Sequence, residues 1–379
     1  MFDSTFAWLL LPLGIALGWA WARGRGNAGG EARTDTLAGL SSLANDNADQ
    51  AIVALSRAAE ADPAAAELQL TLGGLFRKRG EIDRAIQLHE AVLARPGLPQ
   101  GLAEAARVEL AQDFLKAGLL DRAESLLREL ADSSARLDAA LELMLDLYEQ
   151  GRDWPQAIEA AQRLQAAKGR SMAQRIAHYR CELADAARQA GDIPAAAQEL
   201  QRALEQDSDS VRACLAQAAL AEQAKDWPAA IKAYWNAMQR DGRFFSEVVG
   251  PLERCYRETA DPRGYGRFLD EAETALADAA APSLAKARWL REQGGDVRAY
   301  FGEQLARKPT REGVLLWLET GAGEDSPAWL QTLRESLRKS LQSRPRYACS
   351  SCGLQPSMLF WQCPKCRHWG TVFPLEDRL

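Results

Sequence analysis

Four cysteines near the end of the chain have a spacing that can do chemistry. In "YACSSCGLQPSMLFWQCPKCRHWG", residues 347–370, Cys349 and Cys352 form one C-x-x-C pair and Cys363 and Cys366 form another, with ten residues between the pairs. Two thiolates at i and i+3 on a tight turn reach one tetrahedral ion, and two such turns complete its shell. All-thiolate tetrahedral coordination suits zinc, and it also suits iron. One zinc ion is the expectation, with iron as the alternative. Four sulfurs leave no open position for water or substrate, so the site is expected to be structural. Gly353 follows the first pair, where a positive φ costs it nothing. Arg367 stands in the equivalent place after the second pair, where it is less comfortable. His368 is left out of the ligand set, because four thiolates already fill it.

So small a module needs a body to position it, and the body reads as a repeat array. Alanines in segments shaped roughly G-[D/E]-x-x-x-A fall at Ala51, Ala85, Ala123, Ala157, Ala196 and Ala230, with gaps of 34, 38, 34, 39 and 34 residues. That is the tetratricopeptide period with small insertions. In the best copy, "LTLGGLFRKRGEIDRAIQLHEAVL", Leu72, Gly73 and Phe76 supply the small and large packing sites of a first helix. Gly80 makes the turn, and Ala85 and Val92 serve the second helix. Pro155, Pro194 and Pro228 fall in the first turn of second helices, where a missing N–H costs nothing. The predicted fold class is all-α: a tetratricopeptide-repeat solenoid with an N-terminal transmembrane helix and a small C-terminal four-cysteine zinc ribbon. The expected divisions are an anchor over 1–23, a linker over 24–35, the array over 36–330, a connecting helix over 331–345 and the ribbon over 346–379. A stack of repeats buries its apolar stripes and lines a concave groove, so a partner is expected on the inner helix faces of residues 66–239. Tyr347, Phe360, Trp361 and Trp369 are too many for the ribbon to hide unaided, so some are expected to pack on the last repeats.

Near the start, "FAWLLLPLGIALGWAWA" spans residues 6–22 without a charge. A helix of that length rises about 26 Å, close to a bilayer core. Phe6, Leu11 and Leu17 would face lipid, and Trp8, Trp19 and Trp21 sit near the ends, where interfacial rings belong. Pro12 is tolerated in such a helix. Arg23 and Arg25 follow, which places the rest of the chain on the cytoplasmic side by the positive-inside rule. The expected location is therefore the cell inner membrane, single-pass, with membrane lipid around the anchor. A reducing compartment would leave the paired thiolates free for metal.

The chain has 379 residues and a formal charge of −6. An acidic body argues against broad nucleic-acid binding, which needs a basic field, although Arg344, Arg346, Lys365 and Arg367 around the ribbon favour a finger-like alternative. An iron site that cycles electrons is the one enzymatic alternative, and a long repeat array adds nothing to it. No catalytic constellation is found: His89 and His178 lack partners at metal-ligand spacing, and neither is expected to be catalytic. The chain is read as not an enzyme.

The order of elements, together with "LTLGGLFRKRGEIDRAI", "KAGLLDRAE", "IAHYRCELA" and "SRPRYACSSCG…LFWQCPKCRHW", resembles the lipopolysaccharide assembly protein B family over essentially the whole chain. "CPKC" is similar to the rubredoxin knuckle. The resemblance implies a rubredoxin-type metal ribbon, carried by Cys349, Cys352, Cys363 and Cys366, packed against the repeats. It implies a cytoplasm-facing adaptor that promotes degradation of the lipid A pathway deacetylase by the membrane-bound ATP-dependent zinc protease, and so restrains lipopolysaccharide synthesis. It also implies an opposing inner-membrane regulator as a partner. A general scaffold for the lipopolysaccharide biosynthetic enzymes needs the same parts and stays open beside it.

Overall fold

The computed structural model describes residues 48–61, 66–132, 136–295, 297–320 and 327–376. The chain forms two compact units, residues 1–170 and 171–379. In the first unit the described helices are α1 Ala48–Ala61, α2 Ala66–Arg79, α3 Ile82–Leu93, α4 Gln100–Ala117, α5 Leu120–Asp132, α6 Leu137–Gly151 and α7 Trp154–Lys168. The sequence dictates where they stop and start. Helix α2 ends in Arg77, Lys78 and Arg79, cations that suit the negative end of a helix dipole. Gly80 then turns the chain with φ 87°. At α7, the Asp153 carboxylate accepts from the Gln156 N–H, and Pro155 sits in the first turn.

Helices meet at the small residues. Ala85, Ala123 and Ala157 are fully buried. At Gly73 the close neighbour is a ring: a Cβ there would lie 2.3 Å from His89 Nε2. The His89 ring is fully buried and pinned at both nitrogens, with Nδ1 2.5 Å from Asp113 Oδ2 and Nε2 3.2 Å from the Leu70 carbonyl. Arg77 donates to the other Asp113 oxygen at 2.8 Å and to Glu109 at 2.5 Å. A buried carboxylate is costly unless it is paired, and this set ties α2, α3 and α4 together.

The second unit holds α8 Ala173–Gln189, α9 Ile193–Gln206, α10 Val211–Gln223, α11 Trp227–Arg240, a 3-10 turn Gly242–Phe244, α12 Phe245–Glu258, α13 Pro262–Ala275, α14 Ala281–Glu292, α15 Arg298–Arg307, α16 Arg311–Thr320 and α17 Ala328–Gln342. Asp192, Asp226 and Asp261 each cap a helix and are followed at once, or after one residue, by Pro194, Pro228 and Pro262. Ala196 and Ala230 are buried. The main core of this unit runs through Tyr234, Phe245, Leu252, Phe268 and Leu269. Helix α17 buries no residue. It is held by Arg334 donating to the Leu318 carbonyl at 2.7 Å and by Arg338 paired with Glu319 at 2.6 Å. Two three-residue strands, β1 Tyr347–Cys349 and β2 Val372–Pro374, pair antiparallel at the end.

The fold class needs one correction. No helix among the described residues is long and apolar enough to cross a membrane. Over the described residues the architecture is an all-α tetratricopeptide-like solenoid with a small two-stranded element and no membrane-spanning helix. The residues on which that expectation rested, Phe6, Trp8, Leu11, Pro12, Leu17, Trp19 and Trp21 with Arg23 and Arg25, lie outside the described ones. The single-pass inner-membrane location rested on that segment, and none of the described helices carries it.

Candidate metal centre

The four sulfurs converge. Cys349 Sγ lies 3.7 Å from Cys366 Sγ, and Cys352 Sγ lies 3.6 Å from Cys363 Sγ. All four ligand atoms fall within 4.8 Å of one another. A tetrahedral ion with bonds of about 2.3 Å to sulfur requires sulfur–sulfur edges of roughly 3.8 Å, so the donor set fits one such ion. The two knuckles close alike. The Gly353 N–H donates to the Cys349 carbonyl at 3.0 Å, and the Arg367 N–H donates to the Cys363 carbonyl at 2.8 Å. Gly353 has φ 72°, and Arg367 takes the same left-handed conformation at φ 60°. The strands hold the knuckles together with Cys349 opposite Val372, and Gln362 bridges to Trp369.

The electrostatics favour a cation. The His368 backbone N–H, and then its side chain, hold the Cys366 thiol down to about 5. At Cys352 the Leu354 N–H favours the thiolate, but burial and the sulfurs of Cys363, Cys349 and Cys366 outweigh it and push the thiol up to about 11. Four sulfurs this close cannot all ionise by themselves. A divalent ion at their centre removes that repulsion and deprotonates them together. His368 serves the site from outside, its Nδ1 3.3 Å from Ser351 Oγ on the opposite knuckle.

Of the ribbon rings expected on the last repeats, Trp361 and Trp369 lie on α8, α10 and the 3-10 turn. Trp369 stacks on His178 with centroids 5.2 Å apart and meets Tyr179 edge-on at 5.8 Å. Trp361 stacks on Phe244 at 5.6 Å, and Phe373 meets the same ring at 5.9 Å. The Arg212 guanidinium lies 5.9 Å from the Trp361 and Trp369 centroids alike. It is itself buried, donating to Glu182 at 2.8 Å, to Asp185 at 3.0 Å and to the His178 carbonyl at 3.3 Å. The Tyr347 hydroxyl donates to Glu247 on α12 at 2.9 Å. Gly370 permits the close approach: a Cβ there would lie 3.0 Å from Gln174 Nε2 and 3.1 Å from His178 Nε2.

Reasoning from the sequence missed His178 and Arg212 as parts of this seat. A signal existed. Arg212 stands 34 residues after His178, the same step as from Ala196 to Ala230, so both occupy one position in successive repeats. The repeat-packing residues Leu72, Phe76 and Ala85 are buried in the core of the first unit.

Comparison with known proteins adds the family. The profile of the rubredoxin metal binding domain matches residues 347–374, and that of the tetratricopeptide repeat matches residues 36–99 and 181–243. Neither profile describes a catalytic domain. Lipopolysaccharide assembly protein B of Escherichia coli (strain K12) is 30% identical over 382 residues, covering 97% of each chain. The protein of that name from Haemophilus influenzae is 28% identical over 396 residues, covering 98% of each. Among solved structures, a tetratricopeptide repeat protein from Parabacteroides merdae is 14% identical, covers 72% of this chain and 98% of its own, and superposes with a TM-score of 0.34; so loose a match says nothing about function. With nearly the full length matched on both sides, repeats and metal ribbon included, the chain belongs to the lipopolysaccharide assembly protein B family.

Proposed function

We propose that the chain is a non-enzymatic adaptor in the regulation of lipopolysaccharide synthesis. It promotes degradation of the lipid A pathway deacetylase by the membrane-bound ATP-dependent zinc protease, and an inner-membrane regulator opposes it. The observation that carries this reading is the seating of the ribbon on the repeats. Arg212, His178 and Phe244 bind Trp361 and Trp369 tightly enough to make repeats and ribbon one recognition surface in the second unit. Family membership supplies the pathway.

In this reading the ion is zinc, held by Cys349, Cys352, Cys363 and Cys366, and its role is structural. The array occupies residues 36–330, the connecting helix 331–345 and the ribbon 346–379. The ribbon already covers the positions of His178 and Arg212, so the partner's place is on the matching first helices of the other unit, α2, α4 and α6. The test is the half-life of the deacetylase in cells with and without this chain at native copy number. A longer half-life without the chain supports the adaptor. An unchanged half-life alongside altered lipopolysaccharide output rejects it in favour of an assembly role.

A further inference from the structure

His178 is placed as a structural packing residue would be, but it carries a defect that a packing residue would not need. The ring is 5% exposed, and its Nδ1 has no hydrogen-bond partner. It is sandwiched between α8 and the ribbon, against Trp369, Trp361 and Gly370. The two indole rings offer an imidazolium N–H no lone-pair acceptor. The charged group that faces it from α10 is Arg212, a cation. The carboxylates nearest in sequence on its own helix, Glu182 and Asp185, are already engaged by Arg212. On the α9 side, Glu199 is paired with Arg180 at 2.9 Å. A second positive charge therefore meets Arg212 and carboxylates that are already paired, and lifting the ribbon away hydrates it.

We infer that the seat of the ribbon on α8 is a pH-sensitive latch, closed while the His178 ring is neutral and opened by its protonation. Burial, and then Arg212, hold the seated ring down to about 3, whereas an exposed histidine titrates near about 6.5. The group is depressed in the closed state, so closure is fully favoured above about 6.5 and weakens about tenfold for each pH unit below it. Mild acidification thus enlarges the open population, in which Trp361, Trp369 and the repeat positions beneath them are exposed. This goes beyond the adaptor reading and does not depend on which partners the chain has.

The experiment is hydrogen exchange on the zinc-loaded full chain at pH 7.5 and pH 5.5, with rates normalised to the intrinsic chemistry and zinc retention checked at both. Wild type is expected to show an opening constant about tenfold larger at pH 5.5 in segments 176–182 and 359–371. His178→Phe, which keeps a ring against Trp369 but cannot titrate, is expected to show no such change. An equal pH response in both proteins, or none in wild type, overturns the latch. Should His178→Phe already be open at pH 7.5, the ring resonance of wild-type His178 decides. It stays at its neutral position between pH 7.5 and 5.5 if the inference holds, and an ordinary titration near about 6.5 refutes it.

Discussion

Replacing Arg212 by alanine should loosen the ribbon on its seat without removing its metal. Arg212 is 5% exposed, and its guanidinium makes two ion pairs, one bond to a carbonyl and two contacts with tryptophan faces. Breaking a fully buried ion pair costs about 3–5 kcal/mol. The partner side chains here, Glu182 and Asp185, keep 29% and 41% of their surface exposed, so both can rehydrate. That reduces the ion-pair share to about 1–2 kcal/mol. The carbonyl bond adds about 0.5–1 kcal/mol. Each cation–π contact at 5.9 Å, near the limit of the interaction, adds about 0.5 kcal/mol. Only the two cation–π contacts cross to the ribbon, because Glu182, Asp185 and the His178 carbonyl all lie on α8; the seat itself therefore loses about 1 kcal/mol, or roughly fivefold in its opening, and the rest loosens α10 from α8. Hydrogen exchange of residues 359–371 reads this directly, with zinc per chain measured alongside. The reasoning fails if protection there falls less than about threefold, or if helices α2 to α5 of the other unit lose protection to the same degree.

Gly73→Ala drives a methyl into the pinned His89 ring, and overpacking plus a strained bond to Asp113 should cost about 3–4 kcal/mol, seen as a lower urea midpoint for the first unit. Arg367→Gly relieves a left-handed non-glycine residue at φ 60° and should stabilise the ribbon by about 1 kcal/mol, slowing metal loss to a chelator; faster loss would show that the Arg367 side chain contributes more than its backbone strain costs. Cys349→Ser with Cys352→Ser should bring zinc from one per chain to none by elemental analysis, because two thiolates do not make a closed site. One ion retained would overturn the ligand set.

The metal cluster was legible because its geometry is local: i and i+3 on a turn bring two sulfurs together whatever the rest of the chain does. The repeats were legible because Ala85, Ala123, Ala157, Ala196 and Ala230 mark the same close approach at a regular period. The ribbon's seat was not. Trp369 meets His178 across 191 residues of sequence, and nothing local to either residue names the other. Excess aromatic surface showed that the ribbon must dock, and chain proximity then favoured the last repeats. What decided the matter was the row of large and cationic groups on α8, α10 and the 3-10 turn: His178, Arg212 and Phe244. Nothing in the sequence around Arg212 singles it out, and only packing shows it paired with Glu182 and Asp185 and buried beneath two indoles. The transmembrane expectation rested on an uncharged run with end tryptophans and a basic flank, a segment outside the described residues, and the described helices include no membrane-spanning one.

The central claim is that the metal ribbon is part of the second unit through α8, α10 and α12, and not through the helices that immediately precede it. Hydrogen exchange of the full chain before and after zinc is stripped by a chelator tests this most directly. A ribbon this small depends on its ion for folding, so stripping should unseat Trp361 and Trp369. Protection should then fall in 173–189, 211–223 and 242–258, while 298–320 is little changed. Loss confined to 298–342, or no change outside 346–376, would contradict the account.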